Sequence, residues 1–331
     1  MFPRLPLLVL GTIVFFVVVS IASREAPPDM DSMPMQVSAF PFDVDSEAER
    51  RHADVGEVVI DETFEVNAGE SLEIDVAHSD VEIRTGSNTD VNVRVEVSND
   101  NGRAFFEHLN YSVVKQGDVV SITTNPRGNW NRRGGGIDVF VTVPEDFNAD
   151  VSISHGDLDV ERMNGRLAYE LAHGDISAGS LSGSSLRLQS AHGDLDIERI
   201  SSEKAQIRAA HGDISVGSLS AAEFEADVQH GDIDIGRAEG FARVSGSHSD
   251  IRIGFIKMAG GSFSSSHGDI DILAPAGIAA DVDFSGGDIE IASGHSFQGT
   301  LKDKRAEGRI NGGGARLEVK TSHGEITLRE M

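Results

Sequence analysis

Beyond about residue 56, apolar and polar residues alternate in short runs, which is the period of a half-buried strand. Leu186 and Leu188 precede His192-Gly193-Asp194, and Leu195 and Ile197 follow it. Two short strands therefore flank this triplet. Leu188 and Leu195 lie seven residues apart, so one straight strand would send them to opposite faces. The triplet has to be a corner. Glycine suits a corner because it reaches backbone angles closed to other residues and lets neighbouring chains approach. Ser79 and Ser249 replace it at two triplets, so positive φ is not expected to be obligatory.

The triplet recurs. His155-Gly156-Asp157, His173-Gly174-Asp175, His192-Gly193-Asp194, His211-Gly212-Asp213, His230-Gly231-Asp232, His248-Ser249-Asp250 and His267-Gly268-Asp269 follow one another at 18 or 19 residues. Gly286-Gly287-Asp288 continues the register without the histidine, His323-Gly324-Glu325 closes the chain, and His78-Ser79-Asp80 lies about four periods upstream. Further turn signals near Asn164-Gly165, Gly179-Ser180, Gly217-Ser218 and Gly236 give each unit at least two corners. The pattern predicts an all-β fold, a single-stranded β-helix or β-solenoid with about 19 residues per coil, stacked at about 4.8 Å around a column of Ile, Leu, Val and Ala.

Four segments are expected. Residues 1–23 hold Arg4 and the uncharged run Leu5–Ile21, an export signal. Ser20 and Ala22 offer a cleavage pattern, while the run is nearly long enough to stay as an N-terminal membrane anchor; both fates fit. Residues 24–56, with Pro27, Pro28, Pro34 and Pro41, form a flexible linker. Residues 57–150 form an irregular N-terminal β region of the solenoid, in which Val91–Val97 alternates strictly and Asn99-Asp100-Asn101-Gly102 is a hairpin turn. Residues 151–331 form the repeat solenoid.

Composition agrees with many short strands: 36 glycines, 6% aromatic residues and 39% hydrophobic residues. A formal net charge of -26 repels phosphate backbones, so no nucleic acid is expected as a partner. The chain has no cysteine, which excludes disulfides, thiolate metal sites and cysteine nucleophiles.

Segments such as Ala210-His211-Gly212-Asp213-Ile214-Ser215-Val216 behind an export signal resemble the bacterial putative-adhesin family of β-strand-repeat proteins, a domain of unknown function. The resemblance covers roughly residues 57–331. It implies an envelope-associated β-solenoid and supplies no catalytic residues.

The candidate ladder comprises His155, Asp157, His173, Asp175, His192, Asp194, His211, Asp213, His230, Asp232, His248, Asp250, His267 and Asp269. Imidazole and carboxylate suit Zn²⁺ or Ni²⁺, but a regular ladder repeats the same groups at every level and converges on none. We therefore read it as structural, each Asp accepting backbone N–H bonds at its corner, and assign no metal, cofactor or catalytic residue. A His beside these carboxylates is expected to hold its proton to higher pH. Asp159, Asp196, Asp234 and Asp271 recur as outward strand positions, and Ser190 near His192 has no third group to orient it. Arg127, Trp130, Arg132 and Arg133 form a candidate interaction loop in an otherwise acidic chain. The reading is an exported, non-enzymatic envelope scaffold, adhesion or interaction protein whose partner is an unknown envelope or cell-surface component. The alternative is a divalent-metal-binding or pH-responsive envelope protein.

Overall fold

In the strand Leu195–His211 (β11), Leu195, Ile197, Ile200, Ala205, Ile207 and Ala209 are buried while Asp196, Glu198, Arg199, Glu203, Lys204 and Arg208 are exposed. The alternation breaks between Ile197 and Ile200, between Ile200 and Ala205, and between Ala209 and Ile214. Each break turns the chain so that the apolar side keeps facing inward. One coil thus has three corners and three faces.

The computed structural model describes residues 56–86, 89–98, 100–128 and 135–331. The export segment 1–23, linker residues 24–55, and Trp130, Arg132 and Arg133 lie outside the described residues. Among the described residues no helix is long and apolar enough to cross a membrane.

β10 (Ile176–His192), β11, β12 (Ile214–His230), β13 (Ile233–His248) and β14 (Ile251–His267) stack in parallel, each a full coil. Register sets Ile176, Leu195, Ile214, Ile233, Ile251 and Ile270 in one buried column. Burying such a side chain contributes roughly 1.5–3 kcal/mol, and the column repeats that at every level. Sizes are matched within a coil: Phe224 sits two residues from Ala226, and Gly261 makes room for Phe263, whose ring would lie 2.7 Å from a Cβ at that glycine.

Coils at both ends are stacked out of chain order. β2 (Ser71–His78) and β3 (Asp80–Thr85) pair directly with β8 (Asn148–His155) and β9 (Leu158–Leu171). Their outer sides pair with β6 (Val119–Thr124) and β7 (Ile137–Val143), so the intervening chain forms the outermost coil rather than further inner ones. At the other end, β20 (Ala315–His323) lies between β14 and β16 (Ala280–Ser285), and β21 (Ile326–Glu330) lies between β15 (Ile270–Ala274) and β17 (Ile289–Ile291). Antiparallel strands finish each end: β1 (Glu57–Glu65), β4 (Asp90–Val97) and β5 (Tyr111–Gln116) at one, β18 (Phe297–Lys302) and β19 (Arg305–Ile310) at the other.

The turn expected at Asn99–Gly102 is not one. Residues 100–109 form a helix, α1 (Asp100–Leu109), because Phe105 and Leu109, four residues apart, bury one face against the first coils. Phe106 stacks on Tyr111 at 4.9 Å.

The two tyrosines give a clean probe of this packing. Tyr169 is 1% exposed and donates to the Met163 sulfur at 3.3 Å; Tyr111 shares a hydrogen bond with the Ser79 hydroxyl. Burial pushes Tyr111 up to about 12 and Tyr169 higher still. Because the folded values exceed the unfolded ones, stability is fully present below about pH 10 and is lost as pH rises above it. Tyrosinate absorbance is expected to stay flat past pH 10 and then rise together with loss of the strand signal in circular dichroism. A separate titration near pH 10 in the intact fold contradicts this packing.

Candidate functional site: the histidine corner

The corner places one imidazole per coil on a single line. His78, His155, His173, His192, His211, His230, His248, His267 and His323 stack with centroid separations of 4.4 to 5.1 Å and interplanar angles of 25° or less. All nine are exposed. His323 therefore follows His267 directly, although Gly286-Gly287-Asp288 comes first in the sequence. At the other end the column meets Phe105 of α1, 5.4 Å from His78 and tilted by 50°.

The carboxylates two residues on form a second line. Asp80 Oδ1 accepts from the backbone N–H of Asp157, Asp157 from Asp175, Asp175 from Asp194, and so on through Asp213, Asp232, Asp250 and Asp269 to Glu325, at 2.7–3.0 Å. The acceptor role matches the sequence reading, but the donor belongs to the next coil. Each aspartate thus ties two coils together where the ladder would otherwise break.

Between them, Gly156, Gly174, Gly193, Gly212, Gly231 and Gly268 hold φ between +134° and +144°. A Cβ there would fall 2.0–2.2 Å from the carbonyl oxygen of the corner residue one level away. Ser79 and Ser249 are absent from the positive-φ residues and turn inward, 4% and 2% exposed.

This arrangement sets what the histidines can do. A nitrogen lone pair lies in the ring plane, so near-parallel rings about 4.8 Å apart aim their lone pairs side by side, not at one point. Among the described residues no group of three or more His, Asp or Glu is placed to hold a metal ion. Protonating adjacent rings would set unit charges that far apart, costing about 1 kcal/mol even in water.

His78 departs from the expectation of a raised value. Partial desolvation of its ring, which is otherwise open to solvent, and then the neighbouring His155 hold it below its ordinary 6.5. The neutral ring is therefore favoured in the fold, and its contribution to stability is present above that value and lost as pH falls through the folded one.

The first coil is also where the repeat is modified. Tyr111 reaches Ser79, and Asp138 stands opposite both Asp80 and Glu96 in register. Burial and then those two carboxylates hold Asp138 above its ordinary value. No repeat marks Phe105, Tyr111 or Asp138; only the apolar spacing of α1 could have pointed here. Of the candidate loop, Arg127 donates from Nη2 to Asn110 Oδ1 at 2.7 Å, and its backbone N–H bonds the His108 carbonyl at 3.0 Å.

Replacing Asp213 with Ala is expected to cost about 0.5–1.5 kcal/mol, the net contribution of the inter-coil hydrogen bond it makes to the Asp232 N–H at an exposed corner. Asp213→Asn keeps an oxygen in place and removes a charge from the column, so it should be near neutral. Urea unfolding of the two variants checks this; equal losses would mean that charge, not the hydrogen bond, is what the column supplies.

Comparison with known proteins places this corner in context. No curated protein matches the chain. A solved structure from Bacteroides fragilis described as a "putative adhesin" is 17% identical, with a TM-score of 0.44, over 82% of this chain and 97% of that one. One from Parabacteroides distasonis described as a "putative lipid binding protein" is 13% identical, with a TM-score of 0.42, over 83% and 98%. A "putative adhesin" from Parabacteroides distasonis is 11% identical, with a TM-score of 0.37, over 84% and 98%. The family model described as Toastrack DUF4097 matches residues 69–329, which include every His and Asp of the ladder, and the chain belongs to that family.

Proposed function

We propose that this protein is an exported, non-enzymatic scaffold, adhesion or interaction protein of the cell envelope. The observation that carries the reading is the unbroken repetition of one corner through all nine stacked histidine levels, which yields long polar columns on a stiff frame. A catalytic centre needs a few groups converging off the register; a repeated column suits attachment along a length. The apolar run Leu5–Ile21 after Arg4 supports export. Alkaline phosphatase fused after residue 60 is expected to be active, and the purified full chain is expected to bind an envelope fraction saturably. An inactive fusion, or association that rises linearly with protein, overturns the reading.

A second reading, a divalent-metal-binding or pH-responsive envelope protein, starts from the exposure of the imidazole column rather than from any converging ligand set among the described residues. Thermal unfolding of the chelated full chain with added Ca²⁺, Zn²⁺ or Ni²⁺ separates the metal version from the first reading. A rise of several degrees with one ion supports metal binding by mass action, and no rise removes it.

A further inference from the structure

Over five levels of the face that follows the histidine corner the pattern has a period of two coils, bounded at one end by the charged Glu82 and Arg84 beside the Asp159 rung and at the other by Arg252 beside Asp234. Asp159, Glu161 and Arg162 project from β9. The next level carries Ser177, Gly179 and Ser180, the next Asp196, Glu198 and Arg199, the next Ser215, Gly217 and Ser218, and the next Asp234, Gly236 and Arg237. Charged rungs thus alternate with small ones through five levels, and like rungs repeat every two coil spacings, about 9.6 Å. The small rungs are recessed. At the first of them Asp159, Glu161, Ser177, Gly179, Asp196 and Glu198, with Glu82 and Arg84 of the level before, line an open hollow of about 490 Å³.

Separating like charges does not require this. On the face before the corner, Glu170, Gln189, Arg208 and Asp227 fill consecutive levels of one column, and Gln206 and Arg208 donate to Glu225 at 3.1 and 2.9 Å. There, opposite or neutral neighbours solve the problem at every level. The alternating face instead puts acceptors and an arginine donor on the same rung. Arg199 and Arg237 make no ion pair among the described residues.

We propose that this face binds a linear β-1,4-linked glycan of neutral or amino sugars, laid along the coil axis. The inference rests on the interaction-module reading above and names its partner class. In an extended glycan of this linkage alternate sugars are flipped, so the chain repeats every two sugars over nearly the two-coil distance. Hydroxyl and amide groups both donate and accept, which matches rungs holding carboxylates beside a guanidinium. The recessed rungs admit the sugar rings between them. The net charge of -26 disfavours a polyanionic glycan.

The test titrates the full chain with chitobiose, chitotetraose and chitohexaose by calorimetry. Five rungs span four coil spacings, about 19 Å, so chitotetraose should bind at least about tenfold more tightly than chitobiose and chitohexaose little better. The variant Ser177→Lys/Ser215→Lys fills both recesses at exposed positions and pairs with the flanking acids. It should lose the chitotetraose advantage with an unchanged or higher Tm. Equal affinity for all three sugars, or a variant that binds chitotetraose as the wild type does, overturns the proposal. No sugar binding alongside saturable envelope association overturns this inference and leaves the interaction reading intact; loss of both removes both.

Discussion

Gly212→Ala is expected to destabilise the protein by about 3 kcal/mol or more, far beyond the usual cost of one methyl group. Gly212 has φ of +134°, a region that side chains other than hydrogen rarely enter. The new Cβ would sit 2.2 Å from the Gly193 carbonyl oxygen and 2.6 Å from its carbon. Neither side can yield cheaply. Gly193 N–H is bonded to His211 O at 3.0 Å, and Asp213 N–H to Asp194 Oδ1 at 2.8 Å, so moving the strands apart breaks the ties between two coils. In a stacked repeat each coil is stabilised chiefly by its neighbours, so the fault should also split a single unfolding transition into two. Urea denaturation by circular dichroism reads both effects. Gly277→Ala is the control: nothing lies within 4 Å of a Cβ there and its φ is ordinary, so its midpoint should not move. Equal midpoints for the two variants would mean that the corner is not tightly seated.

That seat was written in the chain as a glycine between a histidine and an aspartate at constant spacing, which is why the coil was legible from sequence. The parity slip across the triplet required a corner, and the step of three from Ile197 to Ile200 carried the signal of another. What could not be read was the order of the coils. A constant period suggests that each unit stacks on the one before, yet Val119–Thr124 is an ordinary alternating strand with no triplet and pairs on the far side of Ser71–His78. Sequence spacing says nothing about which edge a strand will find, because backbone pairing is available on either side. The helix was hidden for a related reason: Asp100, Asn101 and Gly102 are turn-forming residues by local preference, and burial of Phe105 and Leu109 overrides it. At the histidine corner, the aspartate was legible as an acceptor but its donor was not, since the donor is supplied by stacking. The direction at His78 was misjudged because the sequence displays the nearby carboxylates and conceals the partial desolvation of the ring next to Phe105.

Gly246→Val tests whether the corner at Ser249 is a compensated solution to the same geometry. Where the corner residue is Gly193, Gly212, Gly231 or Gly268, the residue three before it is Ser190, Ala209, Val228 or Ser265, each with a Cβ. Where the corner residue is Ser249, that position is Gly246; at the other serine corner, Ser79, Val76 keeps its side chain and the serine hydroxyl bonds Tyr111 instead. A Cβ on Gly246 would lie 2.6 Å from the Ser249 Cβ and 3.0 Å from its Oγ, so the inward serine occupies space that the missing side chain leaves. Gly246→Val alone is expected to cost about 2–3 kcal/mol by overpacking. Ser249→Gly alone should cost less, about 1 kcal/mol, since it removes a buried hydroxyl that has no hydrogen-bond partner but opens a gap. The double variant recreates the pairing of Val228 with Gly231 one coil away and should recover most of the loss, a coupling of about 2–3 kcal/mol in the double-mutant cycle. Additive losses would mean that the two positions are independent, and that Ser249 is tolerated for a reason unconnected with Gly246.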